Sequence, residues 1–227
     1  MADIFHEVDE IMKQERMEKF WKENRTWIIA FIALTILGTA AISGYKYWNN
    51  GVKETQTAAL IELLDQENFP DSVIKISAEF RPGIRGIALL AAAQHEMDAE
   101  KPDEALVFYK QAAEDKNLPA EFREMGQIMT ARLDEDLSAE QKLKLLKNVI
   151  ENTNSPWRYR AHMEAALIQA HNNKDYTAAR FHLQYLLKND AAIPPSLINK
   201  AKSLDHIYSL KQKAIKDHNT ITEEKDS

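Results

Sequence analysis

Residues 156–188 read PWRYRAHMEAALIQAHNNKDYTAARFHLQYLLK. Small and large apolar residues recur at helical spacing in two runs, Pro156 to Asn172 and Tyr176 to Lys188, with a short polar stretch between them. Neither run alternates with the period of two that a half-buried strand requires. Pro156 opens the first run, because a first-turn proline gives up only an amide that would be unpaired anyway. Asp175 stands where an N-cap is wanted for the second. This stretch predicts two consecutive antiparallel helices joined by a short loop.

The rest of the chain supports the same reading. Six glycines and seven prolines in 227 residues are about half of ordinary usage, which argues against glycine-rich phosphate loops, dinucleotide fingerprints and turn-dense β sandwiches. Each proline falls at a helix start or a turn: Pro70, Pro82, Pro102, Pro119, Pro156, Pro194 and Pro195. The expected helices are Lys53 to Gln66, Pro70 to Glu79, Ile84 to Asp98, Pro102 to Asp115, Pro119 to Asp134, Ala139 to Asn152, Pro156 to Asn172, Tyr176 to Lys188 and Pro195 to Asp217. Ser138, Ser155 and Asp175 are candidate N-caps. Residues 218–227 are polar and read as a flexible tail.

Short helices in consecutive pairs point to a stacked repeat. A tetratricopeptide-type repeat places a small residue in its second helix, a large apolar one four later and another apolar one three after that. Ala105, Tyr109 and Ala112 fit this pattern, as do Ala179, Leu183 and Leu186. Ala93, twelve positions before Ala105, is small where two helices must touch; twelve positions before Ala179 lies Leu167, a poorer match, beside Ala166. Between these repeats the sequence leaves two registers open, Ala139/Leu143/Leu146 and Lys142/Leu146/Val149. Trp157 is expected to plug the joint between neighbouring pairs. The fold class is therefore all-α, a tetratricopeptide-like solenoid of antiparallel helix pairs over residues 53–217.

A different segment precedes it. From Thr26 to Tyr45 the chain carries no charge: TWIIAFIALTILGTAAISGY. At about 1.5 Å per residue it reaches roughly 30 Å, the thickness of a bilayer's hydrocarbon core. Ile28, Ile29, Phe31, Ile32, Leu34, Ile36, Leu37 and Ile42 each favour insertion by about 0.3 to 0.6 kcal/mol. Trp27 and Tyr45 lie near its two ends, where amphipathic rings prefer the headgroup zones. Residues 26–48 are thus expected to form one transmembrane helix.

Lys13, Arg16, Lys19, Lys22 and Arg25 precede the span and only Lys46 and Lys53 follow closely, which places residues 1–25 in the cytoplasm. Those residues read as an amphipathic helix supported by the pairs Glu15 to Lys19 and Glu18 to Lys22. Ala41-Ile42-Ser43 looks like a signal-peptide cleavage site, but the long acid-rich segment ahead of the span favours an uncleaved anchor.

The opening DIFHEVDEIMKQERMEKFWKENRTW followed by one span, then EFREMGQIMTARL, and later SPWRYRAHMEAALIQAHNNKDYTAARFHLQYLLKND ending in PPSLINKAKSLDHI, resemble the YfgM-type tetratricopeptide-like family of bacterial envelope proteins. The resemblance implies an inner-membrane protein with a periplasmic repeat domain. It also implies partners among SecYEG translocon subunits, periplasmic chaperones and translocating polypeptides. It brings no catalytic or partner-binding residue with it.

The residues themselves offer no reaction. There is no cysteine, which removes disulfides, thiolate metal sites and thiol nucleophiles. His95-Glu96 lacks the second histidine of a zincin helix, since Ala99 stands there. His162, His171 and His182 with Glu164 are the one group to weigh as metal ligands, and they read instead as interfacial or surface residues. The net charge of -6 argues against nucleic acid as a partner. Asp115, Glu121, Glu124, Asp134, Glu135 and Asp136 are expected on a solvated face. The expectation is a membrane-anchored, non-enzymatic protein-interaction scaffold without cofactor or metal, bound to the bilayer by one helix. The alternative is a structural adaptor for cell-envelope assembly or division.

Overall fold

The computed structural model describes the backbone of residues 2–66, 68–188 and 193–225, and the side chains of 12–66, 68–75, 77–188 and 193–215. It divides into two units, Met1–Thr57 and Ala58–Ser227. All regular structure among the described residues is helical.

Helix α1 runs without a break over Ala2–Leu64. The sequence predicts a separate helix from Lys53, yet no proline lies between Lys46 and Gln66, and Gly51 costs only about 1 kcal/mol inside a helix. Within the first unit Trp27, Ile29, Phe31, Ile32, Leu34, Ile36, Leu37, Ile42 and Tyr45 are all exposed, and Ile28 is half-exposed. The helix is long and apolar enough to cross a membrane. Its polar side chains do not spoil that property, because the hydroxyls of Thr35 and Thr39 donate to the carbonyls of Phe31 and Thr35, both at 2.8 Å. Lys22 pairs with Glu18 as expected, whereas Lys19 faces Glu23, at 4.0 Å, rather than Glu15.

The second unit takes up the last turn of α1. It continues with α2 (Phe69–Ile76), a 3-10 turn (Ser77–Glu79), α3 (Pro82–Asp98), α4 (Pro102–Glu114), α5 (Ala120–Leu133), α6 (Ala139–Glu151), α7 (Arg158–His171), α8 (Tyr176–Leu186) and α9 (Pro195–Lys225). Local chemistry sets the ends. Ser138 and Gln141 form a reciprocal capping box at α6, and Asp175 accepts from the Ala178 amide at α8. α9 passes the expected end at Asp217, so residues 218–225 of the expected tail are helical; that stretch holds neither proline nor glycine.

The three helix pairs α3/α4, α5/α6 and α7/α8 share one register. Their second helices begin at Pro102, Ala139 and Tyr176, a step of 37 residues each time. Buried positions follow the same step: Ala105, Lys142 and Ala179; Tyr109, Leu146 and Leu183; Ala112, Val149 and Leu186. Of the two registers open in the sequence, burial selects Lys142/Leu146/Val149, since Ala139 and Leu143 remain half-exposed. A lysine can occupy a small-residue position because its methylene stem packs while its ammonium reaches water.

Three apolar clusters lie along this stack. The first joins Leu60 and Leu63 of α1 to α2, α3 and α4; the next lies among α5, α6 and α7; the last lies among α7, α8 and α9. Core packing is thus continued from each pair to the next along the stack.

Candidate interaction surface

Close helix contacts build the scaffold. Ala93, Ala105, Ala112, Ala179, Leu183 and Leu186 are wholly buried and Tyr109 is nearly so. Beside Ala179's partner helix, Ala166 is fully buried while Leu167 is half-exposed. At the α4–α5 contact the approach is closer still: a Cβ on Gly126 would stand 2.7 Å from both the Tyr109 carbonyl oxygen and the Ala113 amide nitrogen. Trp157 lies at the joint between the second and third pairs. It packs against the α5–α7 cluster, its indole N–H donates to the Glu121 carbonyl at 2.8 Å, and the Arg160 guanidinium sits over its ring.

Polar side chains tie the pairs together. Lys110 of α4 meets Asp134 at 2.7 Å, and Arg132 of α5 grips Glu164 of α7 through Nε and Nη2 at 3.0 and 2.7 Å. The Glu124 carboxylate accepts from Asn152 Nδ2 at 2.7 Å and Ser155 Oγ at 2.6 Å, across the α5–α6 boundary. This corrects the expectation of a solvated face for two of its six carboxylates, while Glu121, Glu135 and Asp136 are exposed. Asp134 is 2% exposed and Glu124 8%, because each finds its donor on an element distant in sequence, which composition does not reveal. Ser155 serves this carboxylate and the Trp157 amide. For Glu124 the sequence signal was a carboxylate set among apolar residues on a helix; Asp134 follows the last residue of α5 and gave none.

His162 and His182 meet between α7 and α8 with their Nδ1 atoms 3.1 Å apart, and His162 stacks on Tyr185 at 4.2 Å. One proton serves the pair. His162 is assigned as its donor, because the opposite tautomer would bury an Nε2–H that has no acceptor among the described residues. Burial, then the neighbouring His182, Arg158 and Lys188, lower its pKa to about 4; burial also lowers that of His182. The other two candidate metal ligands stand apart: His171 is exposed at the end of α7 and Glu164 is held by Arg132. Among the described residues no group of three or more potential ligands converges.

What the stack leaves open are crevices between its second helices. Among the described residues no Cα of α4 comes within 8 Å of one in α6, nor one of α6 within 8 Å of one in α8. Two crevices of about 830 and 500 Å³ lie between α4 and α6 with α5 as their floor, and one of about 770 Å³ lies beside α6 over α7 and reaches His182. Asn148 borders all three. Ala93, Ala105, Tyr109, Ala112, Trp157, Ala179, Leu183 and Leu186 do not line them, whereas Leu143, of the register that burial rejects, lines the one over α7.

A stack of helix pairs that buries carboxylates in its joints and keeps open crevices between second helices is a scaffold for binding other proteins. The chain belongs to the tetratricopeptide repeat-like domain family, whose model matches residues 18–164. The match starts ahead of the uncharged span and ends within α7. No curated protein and no solved structure matches the chain.

Proposed function

We propose that this protein is a single-pass protein of the bacterial inner membrane that recruits other proteins to a membrane complex. In this reading residues 1–25 are cytoplasmic, 26–48 cross the membrane, 53–217 form the periplasmic repeat domain and 218–227 extend beyond it. The observation that carries it is the union, in one chain, of an uncharged apolar helix with a helical repeat of the interaction-scaffold type. The excess of lysine and arginine before the span supports the orientation. A family match that begins at residue 18 supports retention of the span.

Tethering confines the repeat domain to two dimensions, so weak contacts near a membrane complex become effective. By its YfgM-type resemblance the complex is the Sec translocon, where the domain links emerging polypeptides to periplasmic chaperones. Crosslinking in intact membranes tests this. Recovery of translocon subunits is expected; recovery of only self-products or division proteins assigns the chain to envelope assembly instead.

A further inference from the structure

Charge is divided unevenly along the chain. Residues 53–155 carry twelve basic and twenty acidic side chains, whereas 156–217 carry ten basic and five acidic. Half of that basic share falls on α9. Between Pro195 and Lys216 this helix holds one acid, Asp205, and the next in the chain is Asp217. Asp205 is already gripped by Arg180 of α8 at 2.8 Å. Lys200, Lys202, Lys211 and Lys213 are all exposed, so no free acid lies among them on their own helix.

At 3.6 residues per turn these lysines take a definite order around the helix. Ala201 and Tyr208, both buried, mark the side that packs against α7 and α8. Turned away from it is an apolar strip of Ile207, Leu210 and Ala214, with only Ser203 set among them. Ile207 is 45% and Leu210 53% exposed. Lys202 and Lys213 run along one edge of the strip, Lys200 and Lys211 along the other. Such a helix suits a membrane interface: the apolar strip enters the acyl boundary while the long cationic arms on both edges reach the headgroups.

A protein partner fits this face less well. Two large apolar residues on the ridge of one helix supply little of an interface that takes about 20 to 30 residues from each side, whereas a bilayer asks for no matching shape. On the single-pass reading, phospholipid is also in constant reach of the chain.

We infer that the outer face of α9 lies on an anionic phospholipid surface, with Ile207 and Leu210 entering the acyl boundary and Lys200, Lys202, Lys211 and Lys213 pairing lipid phosphates. Each lysine near such a surface favours the bound state about fivefold.

The full-length protein has no cysteine, so Ala214→Cys takes a single environment-sensitive fluorophore. It is reconstituted in vesicles of phosphatidylcholine alone or with one third phosphatidylglycerol, each with spin-labelled lipid as quencher. Quenching is expected with phosphatidylglycerol and only background without it. Lys202→Gln/Lys213→Gln is expected to lower the ratio of lipid-bound to free helix about 25-fold, and Ile207→Ser/Leu210→Ser about tenfold. All four sites are exposed, so the unfolding temperature is expected to hold in both variants. Equal quenching in the two kinds of vesicle, none in either, or quenching that the lysine variant leaves unchanged overturns the inference. A lysine effect with none from Ile207→Ser/Leu210→Ser overturns it too, and assigns the face to an acidic protein such as residues 53–155 of a second copy. Alkaline carbonate extraction reads the anchor separately. Retention without quenching removes the inference and leaves the single-pass reading standing; quenching of protein that carbonate releases does the reverse.

Discussion

Gly126 of α5 lies against Tyr109 of α4 so closely that any larger residue would drive its Cβ to 2.7 Å from the Tyr109 carbonyl oxygen. Backbone, not a yielding side chain, blocks the space, so the contact fixes how the first pair meets the second.

Gly126→Ala is therefore expected to destabilise the protein by about 1 to 3 kcal/mol, the usual range for overpacking a tight contact. Gly83→Ala, where no atom lies within 4 Å of the new Cβ, is expected to be neutral or to stabilise by about 0.5 kcal/mol through reduced unfolded-state entropy. Urea unfolding of the full chain in detergent, followed by circular dichroism, measures both.

The Arg132–Glu164 pair offers a test of how the pairs are joined. Arg132→Met strands a carboxylate that is 5% exposed, and the expected cost is about 2 kcal/mol. That lies below the range for fully buried pairs, because about half of the Arg132 side chain faces water. The double variant Arg132→Met/Glu164→Met is expected to recover most of the loss, since no unpaired charge remains. A double-mutant cycle of unfolding midpoints reads the coupling directly.

Acid weakens the α7–α8 contact. His162 titrates near 6.5 when unfolded and about 4 when folded, so below pH 6.5 the unfolded chain binds the extra proton first. The stabilisation is complete above pH 6.5 and is lost as pH falls towards 4, by about 3 kcal/mol in full. The lowered His182 acts in the same direction. His162→Phe is expected to flatten the dependence of the unfolding midpoint between pH 6.5 and 4.5 relative to the unaltered protein.

The membrane role of α1 is tested by placing a charge in its middle. Leu37→Arg costs about 3 kcal/mol at a bilayer centre, and is expected to move a measurable share of the protein from the membrane pellet to the carbonate-soluble fraction. A periplasmic reporter fused after residue 217 is expected to be active with the unaltered span and to lose activity in step with that release.

The helix starts were legible because they rest on neighbours in sequence: Pro102 in a first turn, Ser138 reaching Gln141, Asp175 reaching the Ala178 amide. Helical spacing puts Ala105 and Tyr109 on one face of α4 and Ala179 and Leu183 on one face of α8, and all four are buried. Glu124 and Asp134 were misread as solvated because their partners Asn152, Ser155 and Lys110 lie on other elements. Asn148 gave no signal at all; a lone amide on an amphipathic helix looks like any surface residue until the gap beside it is seen.

The sequence by itself determined the helical class, the uncharged span and the candidate registers, because propensity, capping and periodicity act within a few residues. Tertiary structure alone decided which register holds, which carboxylates are sealed into joints and where the stack stays open. Those outcomes depend on how near separate helices come, and that distance is set at positions such as Gly126 by atoms far apart in the chain.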